Sequence, residues 1–359
     1  MTRFTRYCAA LAAGWVLSGS AFAQQPTASP LPIPAPIEAA KPAAMPPPGN
    51  TAAPGWNNPP AWRQVETLPQ YASVPGRETG VLIEASGRQW RALRSGPVTF
   101  YGGIVILVVP VLLLLFYLTK GQIKLHDKPT GRLIERFNSA QRVAHWTMAI
   151  SFVVLALTGL ILFFGKYILL PLLGPQVFST VAEIGKNIHN FVGPLFIFSI
   201  VVFFFIYVKD NVWRAYDKQW LKNFGGLVSG SHVASGRFNA GEKIWFWGGV
   251  VLLGVIVSIS GVILLFPGWS NSRQIMGQAD LVHAIFACLF IAASFAHIYL
   301  GTIGMQGAYK AMREGFVDET WAREHHELWH NEVKAGKRTE KILSAGQSAG
   351  SDDLKGSLR

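Results

Sequence analysis

LVHAIFACLFIAASFAHIYL, residues 281–300, is long and apolar enough to cross a bilayer, yet it carries a histidine near each end, His283 and His297. Ionisable side chains inside a membrane span are costly and mark functional positions. The two imidazoles are fourteen residues apart. At about 100° per residue the second returns to within roughly 40° of the first, about 21 Å further along the helix. One helix face therefore presents an imidazole near each side of a hydrocarbon core about 30 Å thick.

The rest of the chain agrees with a membrane setting. Of 359 residues half are hydrophobic and only 14% are charged, which places the protein in the integral membrane class. The formal net charge of +12 does not point to nucleic acid, because the basic residues gather in the segments between spans, as cytoplasmic loops do. The two cysteines, Cys8 and Cys288, leave no disulfide framework or Cys-based metal site.

Taken in order, residues 1–23 read as a secretory signal, with Arg3 and Arg6 before an apolar run and an Ala21-Phe22-Ala23 cleavage pattern. Residues 24–98 are a Pro/Ala-rich linker followed, from about 61, by a polar periplasmic segment with no assignable role. An extra transmembrane helix is expected over 99–119, with Pro110 inside it. Four further spans are expected at about 141–164, 188–208, 243–266 and 281–303, within a domain covering 135–310. Asn138 or Ser139 caps the first of these, and Trp245 and Trp247 read as interface anchors of the third. Segments 166–187 and 267–280 are expected as loops, and 311–359 as a polar cytoplasmic tail.

Lys and Arg concentrate in 119–142, 209–243 and the tail, and are sparse in 166–187 and 267–280. The positive-inside rule then puts the mature N-terminus in the periplasm and the C-terminus in the cytoplasm of a bacterial inner membrane. Depth follows for each intramembrane histidine. His145 starts a span that begins in the cytoplasm, and His297 closes one that ends there. His189 and His283 each open a span from the periplasm. The four therefore form two depth-matched pairs, His145 with His297 and His189 with His283. A lone membrane histidine is more often a hydrogen-bonded structural residue or a proton relay. Two such pairs on facing helices are what bis-histidine axial ligation of two b haems requires. Gly159, fourteen residues after His145, and Gly193, one turn after His189, make room for a flat ring. The absence of C-x-x-C-H excludes covalent haem attachment, and zinc would want three or four protein ligands together.

At these residues the sequence resembles the gamma (cytochrome b) subunit of respiratory formate dehydrogenases. The matching pieces are RVAHW around His145, NIHNFVG around His189, RFNAGEK at 237–243, LVHAIFA around His283, AHIYLG around His297 and WAREHHELW at 321–329, over about 135–335. The resemblance implies an all-α integral membrane fold, a four-helix dihaem cytochrome b bundle, here with one extra N-terminal transmembrane helix. It implies two haem b groups, with His189 and His283 as iron ligands of the periplasmic one and His145 and His297 as ligands of the cytoplasmic one. It also implies a pocket for quinone (menaquinone or ubiquinone) at Asn239, Ala240, Gly241 and Glu242 with His297 nearby. The family commonly has Gln where this chain has Glu242. The implied partners are an iron–sulfur beta subunit and a molybdenum or tungsten catalytic alpha subunit, together with membrane lipid and no nucleic acid. Formate oxidation itself would belong to the alpha subunit. Residues 1–120 have no counterpart in the short family members.

Two further readings stand beside this one, a cytochrome b of a quinone-linked hydrogenase or similar dehydrogenase, and a haem-free transporter using histidines as proton relays. His326-Glu327-Leu328-Trp329-His330 matches the H-E-x-x-H zinc-protease pattern. With no later histidine and fewer than thirty residues to follow, it reads instead as a surface helix. Lys243 reads as a snorkelling lysine after a capped helix start. His126 and His232 read as solvated loop residues, His232 with a place in proton delivery as its alternative.

Overall fold

A computed structural model describes residues 85–226, 233–269 and 272–345. The signal-peptide reading, most of the linker and His232 lie outside the described residues. Four helices are long and apolar enough to cross a membrane, at Gly87–Lys120, Ser139–Tyr207, Ala240–Leu265 and Arg273–Gly304. The second contains two of the expected spans, because it turns back at Gly174.

Helix α1 (Ala85–Leu93) runs through a π-turn, Arg94–Val98, into α2 (Thr99–Lys120). Strand β1 (Leu133–Glu135) precedes α3 (Ser139–Tyr207), whose start is closed by a reciprocal cap. Asn138 Oδ1 accepts from Gln141 N at 3.0 Å, and Gln141 Oε1 accepts from Asn138 N at 3.1 Å. Segment 166–187, expected as a loop, is helical on both sides of Gly174, which has φ 74° and ψ 169°. The residue before a proline is pushed away from helical backbone, and glycine takes positive φ without strain, so Gly174 followed by Pro175 confines the turn to one residue. The low charge that suggested a loop here equally suits two helices prolonged to a tight corner. The halves run antiparallel: Gln141 O accepts from the Tyr207 hydroxyl at 2.9 Å, and each residue is thirty-three positions from Gly174.

Helix α4 (Ala215–Lys222) lies in the basic connection. Helix α5 (Ala240–Ile244) continues through a π-helical stretch, Trp245–Leu253, into α6 (Gly254–Leu265). Helix α7 (Arg273–Tyr299) starts eight residues earlier than the expected span, with the Ser272 hydroxyl accepting from Ile275 N, so little of 267–280 remains as loop. The extra helix α2 packs along α7. A Cβ on Gly102 would stand 2.9 Å from Cys288 Sγ, so glycine is what lets the two backbones approach. Gly102→Leu is expected to prise α2 from α7, read as faster protease cleavage near residue 98 in membranes.

The described part of the tail is folded rather than loose. Helix α8 (Ala308–Arg313) leads to β2 (Phe316–Asp318), α9 (Glu319–His325), α10 (Glu327–Lys334) and β3 (Ile342–Leu343). The strands form an antiparallel sheet in the order β2-β1-β3. This cap covers the end of the bundle where α3 begins, with Trp146 Nε1 donating to Met312 O at 3.1 Å and an Arg142 Nη1 bond to Arg313 O at 3.0 Å. Its centre is Arg136, 2% exposed, whose guanidinium lies 5.0–5.6 Å from the ring centres of Phe137, Phe238, Trp321 and Trp329 and donates to Glu242 Oε1 at 3.0 Å.

The expectation of a surface helix at 326–330 is corrected. His326, Trp329 and His330 are all buried, and the backbone breaks at His326 (φ −143°, ψ 53°), which separates α9 from α10. H-E-x-x-H therefore does not lie on one helix. His326 Nδ1 donates to Gly236 O at 2.8 Å and His330 Nε2 lies 3.2 Å from Glu319 Oε1. The pattern is polar in type, which suggests a surface, but His326 Nδ1, His330 Nε2 and Trp329 Nε1 each meet a partner inside the cap.

Burial, with Arg136 adding to it, pushes the His326 pKa well below its usual value. A buried neutral histidine must be protonated on unfolding in acid, so its contribution is complete above about pH 6.5 and is lost as pH falls below that. Protease cleavage within 319–334 is therefore expected to accelerate between pH 7.5 and 5.5, and His326→Gln to flatten that dependence.

Candidate functional site

Two pairs of histidines meet inside the bundle. The rings of His145, on the first turns of α3, and His297, at the end of α7, have centroids 6.3 Å apart. Those of His189, on the second half of α3, and His283, on α7, are 6.1 Å apart. These are the two pairs expected from the sequence, and the antiparallel corner at Gly174 brings residues 158 and 159 beside 189.

The surroundings of the His189/His283 pair fix which nitrogen faces the partner ring. The Thr158 hydroxyl donates to Val154 O at 2.8 Å and is 2.9 Å from His189 Nδ1, so it accepts from that nitrogen. His283 Nδ1 is 3.0 Å from Val257 O, a group that can only accept, and 3.1 Å from Ser260 Oγ. Both rings thus carry the proton on Nδ1 and keep a lone pair on Nε2, the arrangement metal-ligating histidines adopt. The tautomers follow from the partners. At the other pair, His145 Nδ1 is buried with no hydrogen-bond partner among the described residues, and Trp245 stacks on His297 at 4.7 Å and 12°. Trp245, expected as an interface anchor, instead faces the interior, while Trp247 Nε1 donates to Asn211 O at 2.9 Å.

A cavity of about 410 Å³ opens between the helices at His189 and His283, with Gly159, Gly193 and Gly261 in its wall. A Cβ would stand 3.4 Å from the His189 ring if placed on Gly159, and 3.2 Å from the His283 ring if placed on Gly261. Gly193 has nothing within 4 Å of that position, so a side chain there would fill the cavity itself. Among the described residues, no group of three or more His, Cys, Asp or Glu could hold a metal ion.

Midway between the pairs lies a layer of phenylalanines that the sequence reading missed. Phe152 and Phe290 have centroids 4.6 Å apart, and Phe196 lies 6.1 Å from the first and 6.3 Å from the second. Each is seven residues from a paired histidine, two helical turns, and that spacing was the available signal. Thr158, Ser260 and Gly261 were also missed, since their roles depend on which helix lies opposite.

The Asn239–Glu242 segment is a helix start. Asn239 Oδ1 accepts from Glu242 N at 2.9 Å, and Glu242 Oε2 accepts from Asn239 N at 2.8 Å. Glu242 Oε1 takes Arg136, and its Oε2 lies 3.9 Å from His326 Nε2. Gly241 faces Trp220, which a Cβ would meet at 2.8 Å. Lys243 does not snorkel. It is 1% exposed and pairs with the equally buried Asp217 at 2.7 Å.

A family model described as prokaryotic cytochrome b561 matches residues 136–315, half of the chain and all four histidines. The chain belongs to the prokaryotic cytochrome b561 family. It is 32% identical over 211 residues to the formate dehydrogenase cytochrome b556(fdo) subunit of Escherichia coli K12, covering 58% of this chain and 96% of that one. The nitrate-inducible cytochrome b556(Fdn) subunit of the same strain is 32% identical over 209 residues, 57% of this chain and 93% of its own. The formate dehydrogenase cytochrome b556 subunit of Haemophilus influenzae is 28% identical over 216 residues, 59% and 88% of the two chains. Helices α1 and α2 precede the b561 match.

Membership in a b-type cytochrome family implies haem b, and the residues present fit it. A ring nitrogen stands about 2 Å from a first-row metal it ligates, as with zinc, so two imidazoles on opposite sides of one ion have centroids about 6 Å apart. Both pairs meet that spacing. In the b561 bundle Gly261→Val would press on the His283 ring. The expected result is a lower haem content, measured as pyridine haemochrome against protein.

Proposed function

We infer that this chain is the membrane cytochrome b subunit of a formate dehydrogenase complex. In this reading it passes electrons from a periplasmic iron–sulfur subunit, itself fed by a molybdenum or tungsten catalytic subunit, to quinone on the cytoplasmic side. The observation that carries the reading is the pair of imidazole pairs, each about 6 Å between centroids, on the helix faces that α7 and the two halves of α3 turn toward each other. His189 and His283 would hold one haem b, and His145 and His297 the other. Bound there, the haems supply one-electron transfer across the bilayer.

The chain's own part is to orient and insulate. Thr158, Val257 and Ser260 hold the Nδ1 protons and so direct Nε2 inward. The Phe152, Phe196 and Phe290 layer keeps the middle of the bundle apolar. The quinone pocket is proposed at the cap end, where α5 starts at Asn239, Gly241 and Glu242 and Trp245 reaches His297. Movement of each electron toward the negative side would conserve about 2.3 kcal/mol per 100 mV as membrane potential.

The test is purification of the full chain from membranes. Two haems per chain by pyridine haemochrome, a b-type α-band in the reduced-minus-oxidised spectrum, and copurifying iron–sulfur and molybdenum or tungsten subunits are expected. Absence of haem would end the reading, and copurification with a hydrogenase would replace the partner.

A further inference from the structure

The cavity at His189 and His283 has a polar edge, one member of which comes from outside the family match. Arg94, from the π-turn between α1 and α2, lines it together with Asp280 and Lys186. Arg94 Nε donates to Asp280 Oδ2 at 3.0 Å, and Trp90 Nε1 donates to the same oxygen at 2.9 Å. Asp280 is one turn before His283 on α7. Trp90 packs closely on α7, where a Cβ on Gly277 would meet it at 3.1 Å. The guanidinium stands 5.0 Å from the Phe163 ring centre, and the backbone that carries it is tied down by Thr99 Oγ1 donating to Arg94 O at 2.6 Å.

This clasp places a guanidinium and a carboxylate, with Lys186 beside them, at the polar edge of a mainly apolar cavity. A b haem has an apolar ring and two propionate carboxylates on one edge. A ring seated among Phe152, Leu155 and Phe290 leaves its carboxylates to the polar rim, where Asp280 alone would repel them. Arginine is suited to this position because its planar fork binds one carboxylate through Nε and keeps further N–H donors for another. Charges of this kind act strongly where water is excluded and tune haem potentials.

We propose that Arg94, delivered by the α1–α2 extension that precedes the family match, neutralises Asp280, binds the carboxylates of the haem held by His189 and His283, and sets that haem's reduction potential. The proposal rests on the haem reading above. The extension then has a role beyond anchoring, because it completes one cofactor site from outside the four-helix bundle.

The experiment is a redox titration of the full chain in its complex, in membranes, following the b-type spectrum. His189→Ala identifies which of the two components belongs to this site. Arg94→Gln is expected to lower that component's reduction equilibrium constant about tenfold, equivalent to about 59 mV for one electron, and to leave the other in place. Asp280→Asn is expected to move the same component in the opposite direction, and Arg94→Lys to stay near the parent value. Loss of that haem alone in Arg94→Gln also supports the proposal. Arg94→Gln and Asp280→Asn leaving that component unmoved, moving it in the same direction, or moving only the other component would overturn it. A parent protein without two haems would instead overturn the haem reading itself.

Discussion

On the proposed dihaem reading, His283→Ala is expected to leave one haem per chain in place of two. His283 and His189 face each other across 6.1 Å, and the remaining imidazole of a bis-histidine site cannot hold a six-coordinate iron by itself. The other pair shares helix α7 but is fourteen residues away, with Phe290 packed against Phe152 and Phe196 in between. A side-chain deletion at one end should therefore leave the other end assembled. Pyridine haemochrome against protein, with a redox titration showing one component in place of two, reads the result. Retention of both haems would refute the pairing, and loss of both would show that the sites assemble as one unit.

Lys243→Met is expected to cost about 3–5 kcal/mol, the usual penalty for stranding one partner of a buried ion pair. Lys243 and Asp217 are each 1% exposed and 2.7 Å apart. Asp217 also closes the start of α4 by accepting from Arg214 N at 2.6 Å. Loss of the ammonium leaves a carboxylate in a dry site, so α4 and the start of α5 should loosen together. Thermal unfolding of the detergent-solubilised chain should show a lowered midpoint. Asp217→Asn combined with Lys243→Met should recover much of it, because the uncompensated charge is then gone. If the double variant is no better than Lys243→Met, the penalty comes from packing and not from charge. Quinone turnover should suffer in the single variant if the pocket is at Asn239 and Glu242, since α5 is what holds them.

The membrane class and the four ligand candidates were legible because each rests on local chemistry. An apolar run of about twenty residues has one stable environment, and an imidazole inside it costs too much to be incidental. The sequence paired His145 with His297 and His189 with His283 through loop charge and the order of spans, and the rings of each pair do lie about 6 Å apart. Segment 166–187 was misread because low charge and two prolines suit a loop as well as a helical corner. Only the positive φ at Gly174 distinguishes them. The buried character of His326, Trp329 and His330 was invisible because it depends on Arg136 and Gly236, which are remote in sequence.

What the amino-acid order determined by itself was the succession of apolar runs and the placement of His145, His189, His283 and His297 within them, all properties of single helices. What only the tertiary structure decided was the company each residue keeps. Thr158 and Val257 orient the imidazoles, Glu242 is shared between a helix cap and Arg136, and Arg94 reaches Asp280 across 186 positions. Hydrogen bonds and ion pairs form between whichever groups the packing of apolar faces brings within about 3 Å, and that choice is made by the fold as a whole.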